Sequence, residues 1–468
     1  MIDAFTSATE LARMIRRREV SPVEVTQLFL DRIDKHDAEL NAFVTVVGDA
    51  ALTEARHAEQ KVSMGEDLPP FLGVPIGIKD LTETAGIKTT FSSQAFADYV
   101  PDTDAHVVRR LKDAGFIVFG KTNASEFGTF PVTESDLNGP CRNPWDSSRT
   151  PGGSSGGSGA AVAAGLAPVA QGTDGGGSVR IPASCCGIFG LKPARGRVSR
   201  GPHLGEYWAG YSTDGPLTRT VADAAAMLDI MAGYETGDPY WAPPPERPWA
   251  EEVEREPGRL QIGLFTKSPT SVEIDEEVVT AANDAARLLE SLGHEVNEVS
   301  LDWVDPDITS HFIKVAQSSV AYHPGCDLDL IEPANRALAE AAEMTSSLTY
   351  IQALQSLQAA SRRELALWDD IDVMLTPTLA KPPVPVGWMF EEEDPWMQMI
   401  RAGMFIPFTP VANFSGQPAV SLPLHWSESG LPIGVQLIGG PADEATLIRL
   451  SAQLETARPW VDRHPPGF

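Results

Sequence analysis

The sequence predicts an α/β protein whose sheet is largely covered by helices. Two observations carry this. Short apolar runs, at 73–79, 116–119 and 260–265, alternate with segments of helical periodicity at 104–114, 220–232 and 275–293. The chain of 468 residues is also 42% hydrophobic and 21% charged, which is enough apolar material for a sizeable core.

In chain order, residues 1–70 read as a helical N-terminal segment. Ser21-Pro22-Val23-Glu24 has a capping-box pattern with Pro at the first helical position, and it opens a helix to about His36. A second helix is expected over 50–64. Residues 73–79 form a strand that ends at Lys79. A helix at 104–114 and a buried strand at 116–119 follow. Small residues at 155–165 read as a helix, with a strand after it through Val169. The helix at 220–232 stops at Gly233. The Pro-rich stretch 241–257 reads as a surface linker that does not separate two cores, so one domain over 1–468 is expected. Residues 305–400 read as a mostly helical lobe near the site. Returning strands at 372–375 and 433–438 precede a closing helix at 447–457.

The net charge is −28, and such a surface repels phosphate backbones and anionic lipid. Nucleic acid and membrane are therefore excluded as partners. Residues 159–170 are apolar but too short and Gly-interrupted to span a bilayer. The N-terminus shows neither a basic n-region nor an apolar h-region, so no signal peptide is expected. Cys141, Cys185, Cys186 and Cys326 fit neither a zinc spacing nor a disulfide framework, which places the protein in a reducing cytoplasm. The nine histidines make no metal-ligand spacing, and no metal is expected.

The chemistry concentrates in two glycine-rich turns, Gly-Gly-Ser-Ser-Gly-Gly-Ser-Gly at 152–159 and Gly-Thr-Asp-Gly-Gly-Gly-Ser-Val-Arg at 172–180. Serine needs a base to act as a nucleophile at neutral pH. Lys79 closes an apolar strand containing Val74, Ile76 and Ile78, and burial favours the neutral amine that can act as a base. A strand-end lysine pointing to solvent is the plain alternative. A flexible Gly/Ser linker is the alternative for 152–159, but an alanine-rich helix follows it directly. Successive amides of Gly175, Gly176, Gly177 and Ser178 suit a nest for an oxyanion, or else cap a helix starting near Ser178. Together these parts suit acyl transfer. Two other motifs fail on context. Gly153-Ser154-Ser155-Gly156-Gly157 matches G-x-S-x-G, but loop residues precede it instead of a strand. Residues 115–122 match G-x-x-x-x-G-K-T, but a helix precedes them and their interior is β-type.

These motifs, with Gly-Val-Pro-Ile-Gly-Ile-Lys-Asp at 73–80, Gly-Lys-Thr-Asn at 120–123, Gly-Leu-Lys-Pro at 190–193, Asp-Gly-Pro-Leu-Thr-Arg at 214–219 and Leu-Thr-Pro-Thr at 375–378, resemble the amidase signature family over nearly the whole chain. The resemblance implies a mixed central β-sheet sandwiched between helices, with no cofactor or metal. It implies a Ser–cisSer–Lys triad: Ser178 as nucleophile and acyl carrier, Ser154 after a cis peptide bond as proton shuttle, and Lys79 as base. Gly175, Gly176 and Gly177 would form the oxyanion hole, and Asp174 and Arg180 would hold the loop. Gly175 departs from many members, which carry a larger residue there, and implies a wider pocket or a looser loop. The segments 407–418 and 431–436 are similar to bacterial amidases of small linear or cyclic amides, the 6-aminohexanoate cyclic dimer hydrolases among them. The expected activity is hydrolysis of a small-molecule amide, aryl, linear or cyclic, or a carbamate, by a free-standing chain or homodimer. Phe130, Tyr207 and Trp208 are candidate pocket aromatics, with core packing as the alternative. The competing reading is the glutaminase subunit of a tRNA-dependent amidotransferase. Its pocket needs a cation for the glutamine carboxylate, yet Arg362 and Arg363 fall on a helix that reads as solvated.

Overall fold

The computed structural model describes residues 2–65, 67–300, 307–323 and 325–468. Its strands, in chain order, are β1 (Phe43–Val46), β2 (Pro75–Lys79), β3 (Ile117–Thr122), β4 (Glu134–Ser135), β5 (Gly139–Pro140), β6 (Val169–Asp174), β7 (Phe189–Lys192), β8 (Thr213–Thr218), β9 (Gln261–Leu264), β10 (Glu295–Glu298), β11 (Val373–Pro377), β12 (Ala419–Trp426) and β13 (Pro432–Gly439). β4 and β5 pair with each other. The rest form one 11-stranded sheet in the order β1-β3-β2-β6-β8-β7-β12-β13-β11-β9-β10. The sheet is mixed. β3, β2 and β6 run parallel, as do β11, β9 and β10, and the middle strands are antiparallel. Helices cover both faces, so β2, β3, β6, β7, β8, β11 and β13 are buried along their whole lengths.

The helix Pro22–Leu40 starts as its sequence predicts. Ser21 Oγ accepts from the Val23 amide at 3.0 Å, and the Ser21 amide donates to Glu24 Oε2 at 2.9 Å. The helices Gly48–Met64, His106–Asp113, Val221–Met231, Glu276–Ser291 and Glu444–Ala457 also fall where periodicity places them. The N-terminal segment is not wholly helical. β1 lies between its second and third helices and pairs with β3, with Phe43 edge-on to Phe119 at 5.3 Å. A four-residue edge strand with one buried side chain is too short to show a period. The strand expected to finish at Val169 instead starts there and runs to Asp174. β12 was hidden by Pro423, which sits where its pairing with β13 shifts register, between Leu422 and His425.

The stretch 241–257 lies on the surface but is anchored. Trp249 is buried, and Glu252 accepts from Arg247 at 3.0 Å and from Arg449 at 2.6 Å. The lobe consists of helices Ile308–Ala316, Ser318–Tyr322, Pro333–Met344, Ser347–Leu365 and Pro395–Phe405; residues 305 and 306 lie outside the described residues. Among the described residues, no helix is long and apolar enough to cross a membrane. Lys121 of the P-loop-like string is sealed under the sheet, with Nζ 2.8 Å from Thr89 Oγ1 and 3.1 Å from Thr84 Oγ1, so it faces no phosphate.

Candidate active site

Two adjacent parallel strands place the lysine. β2 and β6 pair through Gly77–Ala170 and Ile78–Gln171, so Lys79 at the end of β2 comes alongside the middle of β6, just before its last two residues. Ligands gather at such carboxyl ends, where the chain leaves the sheet in loops. Lys79 is fully buried, and its Nζ lies 2.7 Å from Ser154 Oγ and 2.8 Å from Thr173 Oγ1. Burial drives its amine well below the ordinary lysine value; the charges of Asp174 and Asp214 oppose this without cancelling it. Gln171 fixes the strand end. Its Oε1 accepts from the Lys79 amide at 3.0 Å, and its Nε2 donates to Asp214 Oδ1 at 2.6 Å.

The two glycine-rich turns meet here. Ser154 follows a cis peptide bond from Gly153. The Ser155 amide donates to the Ser178 carbonyl at 3.3 Å, and Ser155 Oγ donates to the Thr173 carbonyl at 3.2 Å. Ser154 and Ser178 line the same cavity, and both are largely buried. The structure therefore brings Lys79, Ser154 and Ser178 to one place from three elements.

Behind Ser178 the loop is held by a buried ion pair. Arg180 Nη2 donates to Asp174 Oδ1 at 2.8 Å and Arg180 Nε to Asp174 Oδ2 at 3.0 Å, with both side chains fully buried. Burial alone would raise the Asp174 carboxyl, but Arg180 outweighs it and holds the pKa at about 2. Asn413 and Thr409, from the segment after the lobe, complete the network. Asn413 Nδ2 donates to Asp174 Oδ1 at 2.8 Å, and Thr409 Oγ1 donates to the Gly176 carbonyl at 2.6 Å. Gly177 has φ +128°, and a Cβ there would lie 2.3 Å from Thr409 Oγ1, so only glycine fits. Of the predicted nest, the Gly177 amide turns inward and donates to Asp174 Oδ1 at 2.9 Å. Gly175 and Gly176 line the cavities on either side, and Ser178 lines both.

Those cavities differ in chemistry. One is an apolar chamber walled by Phe130, Ile181, Phe312, Met399, Val411 and Phe414, with no charged side chain among the described residues lining it. The other carries Ser154, Thr173, Arg200, Tyr207 and His323, and it shares residues with a third cavity. Arg200 is paired there with Asp214 at 2.6 Å. Burial pushes the His323 imidazole down to about 4, so it is neutral; its ring stacks on Phe127 at 4.7 Å, and Nε2 lies 3.2 Å from Tyr207 Oη. Phe130 packs into the core against Phe390 and also lines the chamber. Trp208 lines both the chamber and the second cavity. Its indole fills the space opposite Gly175, so the wider pocket expected from that glycine is not present.

The Amidase family pattern matches residues 24–448. The chain belongs to the amidase family. The 6-aminohexanoate-cyclic-dimer hydrolase of Pseudomonas sp. (strain NK87) is 35% identical to this amidase, over 99% of the chain and 97% of the relative. A solved structure of 6-aminohexanoate cyclic dimer hydrolase complexed with substrate superposes with a TM-score of 0.92 at 33% identity, covering 99% of each chain. The A subunit of the glutamyl-tRNA(Gln) amidotransferase of Carboxydothermus hydrogenoformans is 37% identical over 96% of the chain and 97% of the relative. This amidase is thus a hydrolase of C–N bonds on a mixed sheet covered by helices.

The sequence reading missed Thr173 and Gln171 at the lysine. They alternate along β6 onto one face, a period-2 signal masked by the glycine and aspartate beside them. It also missed Phe312 and Met399, whose helical periodicity marks them only as buried.

Proposed function

We propose that this amidase hydrolyses uncharged amides through Ser178, Ser154 and Lys79. The observation that carries the substrate class is the apolar, charge-free chamber beside Ser178. The neutral Lys79 amine takes the Ser154 hydroxyl proton as Ser154 takes that of Ser178. Ser178 Oγ then bonds to the carbonyl carbon. The amides of Gly175, Gly176 and Ser178 face the developing oxyanion, since that of Gly177 is held by Asp174. When the C–N bond breaks, the proton returns from Lys79 through Ser154 to the leaving nitrogen. Water then repeats the sequence on the acyl-enzyme, and Ser178 is released with the carboxylic acid. Ser154 lies on the polar side, so the acyl part occupies the apolar chamber and the amine departs past Tyr207 and His323.

The relatives named for the 6-aminohexanoate cyclic dimer support a neutral aliphatic amide, linear or cyclic; aryl amides and carbamates meet the same demands. A glutamine substrate does not, because its carboxylate needs a cation. Arg200 is committed to Asp214, and Arg362 and Arg363 are exposed on the helix Ser347–Leu365. Free thiols at all four cysteines support a reducing compartment, the cytoplasm. The test is turnover of the purified chain on an aryl anilide, a carbamate, a cyclic diamide and L-glutamine, with Ser178→Ala as control. Ser178-dependent release from any of the first three is expected. Activity on glutamine alone, or only after a partner is added, would overturn the reading in favour of the amidotransferase glutaminase.

A further inference from the structure

We infer that Gly175 and Trp208 form a single specificity device: the absent side chain at 175 admits the Trp208 indole onto the nucleophile loop, where it walls the acyl chamber from the amine side. The inference rests on the proposed hydrolase reading for its substrates, and on packing alone for its geometry.

Gly175 is not glycine for conformational reasons. Its φ lies outside the left-handed region, unlike that of Gly177 at +128°, so its backbone would accept a side chain. Space forbids it. A Cβ at 175 would lie 3.0 Å from Trp208 Cε3 and 3.1 Å from Cζ3. These contacts are tighter than ordinary carbon packing, so either the residue at 175 or the indole must give way.

The indole is not free to do so. Its Nε1 donates to Ser319 Oγ at 2.6 Å. It meets Phe312 edge-on at 5.9 Å and 80°, and Tyr207 stacks beside it at 6.1 Å and 24°. The chain is bent to present it: Trp208 and Ala209 have φ of +55° and +52°, a left-handed pair that non-glycine residues seldom adopt. Ser319 and Phe312 belong to the lobe, so the indole ties the lobe to the loop before Ser178.

Trp208 lines both cavities that meet at Ser178, so it sets the width of the passage across the acyl carbon. A flat rigid wall there favours acyl groups that are slim or planar next to the carbonyl, such as an unbranched alkyl chain, and rejects a group branched at that carbon. A Cβ at 175 and the indole at 208 compete for the same space.

The experiment is a double-mutant cycle over wild type, Gly175→Ala, Trp208→Ala and the double variant. Two readouts are taken: Tm, and kcat/KM for the p-nitroanilides of an unbranched and an α-branched acid. Gly175→Ala should lower Tm by about 2 °C or more in the wild-type background and leave it unchanged in the Trp208→Ala background. It should cut kcat/KM on the unbranched anilide about tenfold, with the double variant recovering most of that loss. Trp208→Ala should shift preference toward the branched anilide about tenfold. Additive effects in Tm, or an unchanged branched-to-unbranched ratio in Trp208→Ala, would overturn the inference. If wild type and Ser178→Ala are equally inert on both anilides but the wild type releases a carbamate or cyclic diamide, the hydrolase reading stands and the acyl series is moved to that substrate. Inertness on all three classes is what sinks the hydrolase reading, and the Tm cycle still decides whether the two residues compete for one space.

Discussion

Lys79 can act as a base only while its amine is neutral, and its surroundings decide that. Its strand is apolar in sequence, but a strand-end lysine is as readily exposed; the pairing of β2 with β6 is what buries it. Because its folded pKa lies well below the ordinary value of 10.5, activity should fall on the acid side as the amine is protonated. The same shift makes the unfolded chain hold a proton that the folded chain releases. Stability therefore rises with pH in the window between the lowered pKa and 10.5. Lys79→Met removes that penalty. Turnover should drop by about 10³-fold or more, while Tm stays level or rises, as thermal unfolding at pH 7 will show. A clear fall in Tm would mean that the lysine is a structural cation. Ser178→Ala should abolish the acyl-enzyme seen by mass spectrometry and leave circular dichroism unchanged. An acyl adduct in that variant would move the nucleophile elsewhere.

At the scale of elements, the loop between β6 and the helix Arg180–Cys186 depends on a buried pair instead of on helical or strand propensity. Removing one partner leaves the other charged and dry. Arg180→Leu should cost about 3–5 kcal/mol in urea unfolding, and a loss under about 1 kcal/mol would show that Asp174 finds another donor. Asp174 itself stabilises the fold above its ordinary carboxylate range, and that contribution disappears as pH falls toward its folded value of about 2. Long helices were legible because their signals are local. The capping box at Ser21 and the apolar stripe of Pro22–Leu40 lie within a few turns of each other. β7, β8 and β12 were not legible. Their glycines and prolines read as turns, and only neighbours distant in sequence hold them extended.

Across the whole molecule, a net charge of −28 surrounds a chamber with no charge of its own among the described residues lining it. Substrates should therefore differ in salt dependence. For a neutral amide, kcat/KM should change by no more than about twofold between 50 and 500 mM salt, whereas an anionic amide should gain as screening rises. Strong salt dependence with a neutral substrate would place charge at the chamber mouth. The sequence alone determined the class of fold and the two glycine-rich turns, and its resemblance to a known family pointed to amide chemistry and to the three residues proposed to react, because each is written in a short contiguous motif or a local period. The tertiary structure decided that Lys79 is buried beside Ser154, that the Gly177 amide is held by Asp174, and that the chamber is uncharged. It also decided that Trp208 fills the space Gly175 leaves open. These four facts depend on contacts between segments far apart in the chain, and no local pattern of residue types records which distant side chain will occupy a given volume.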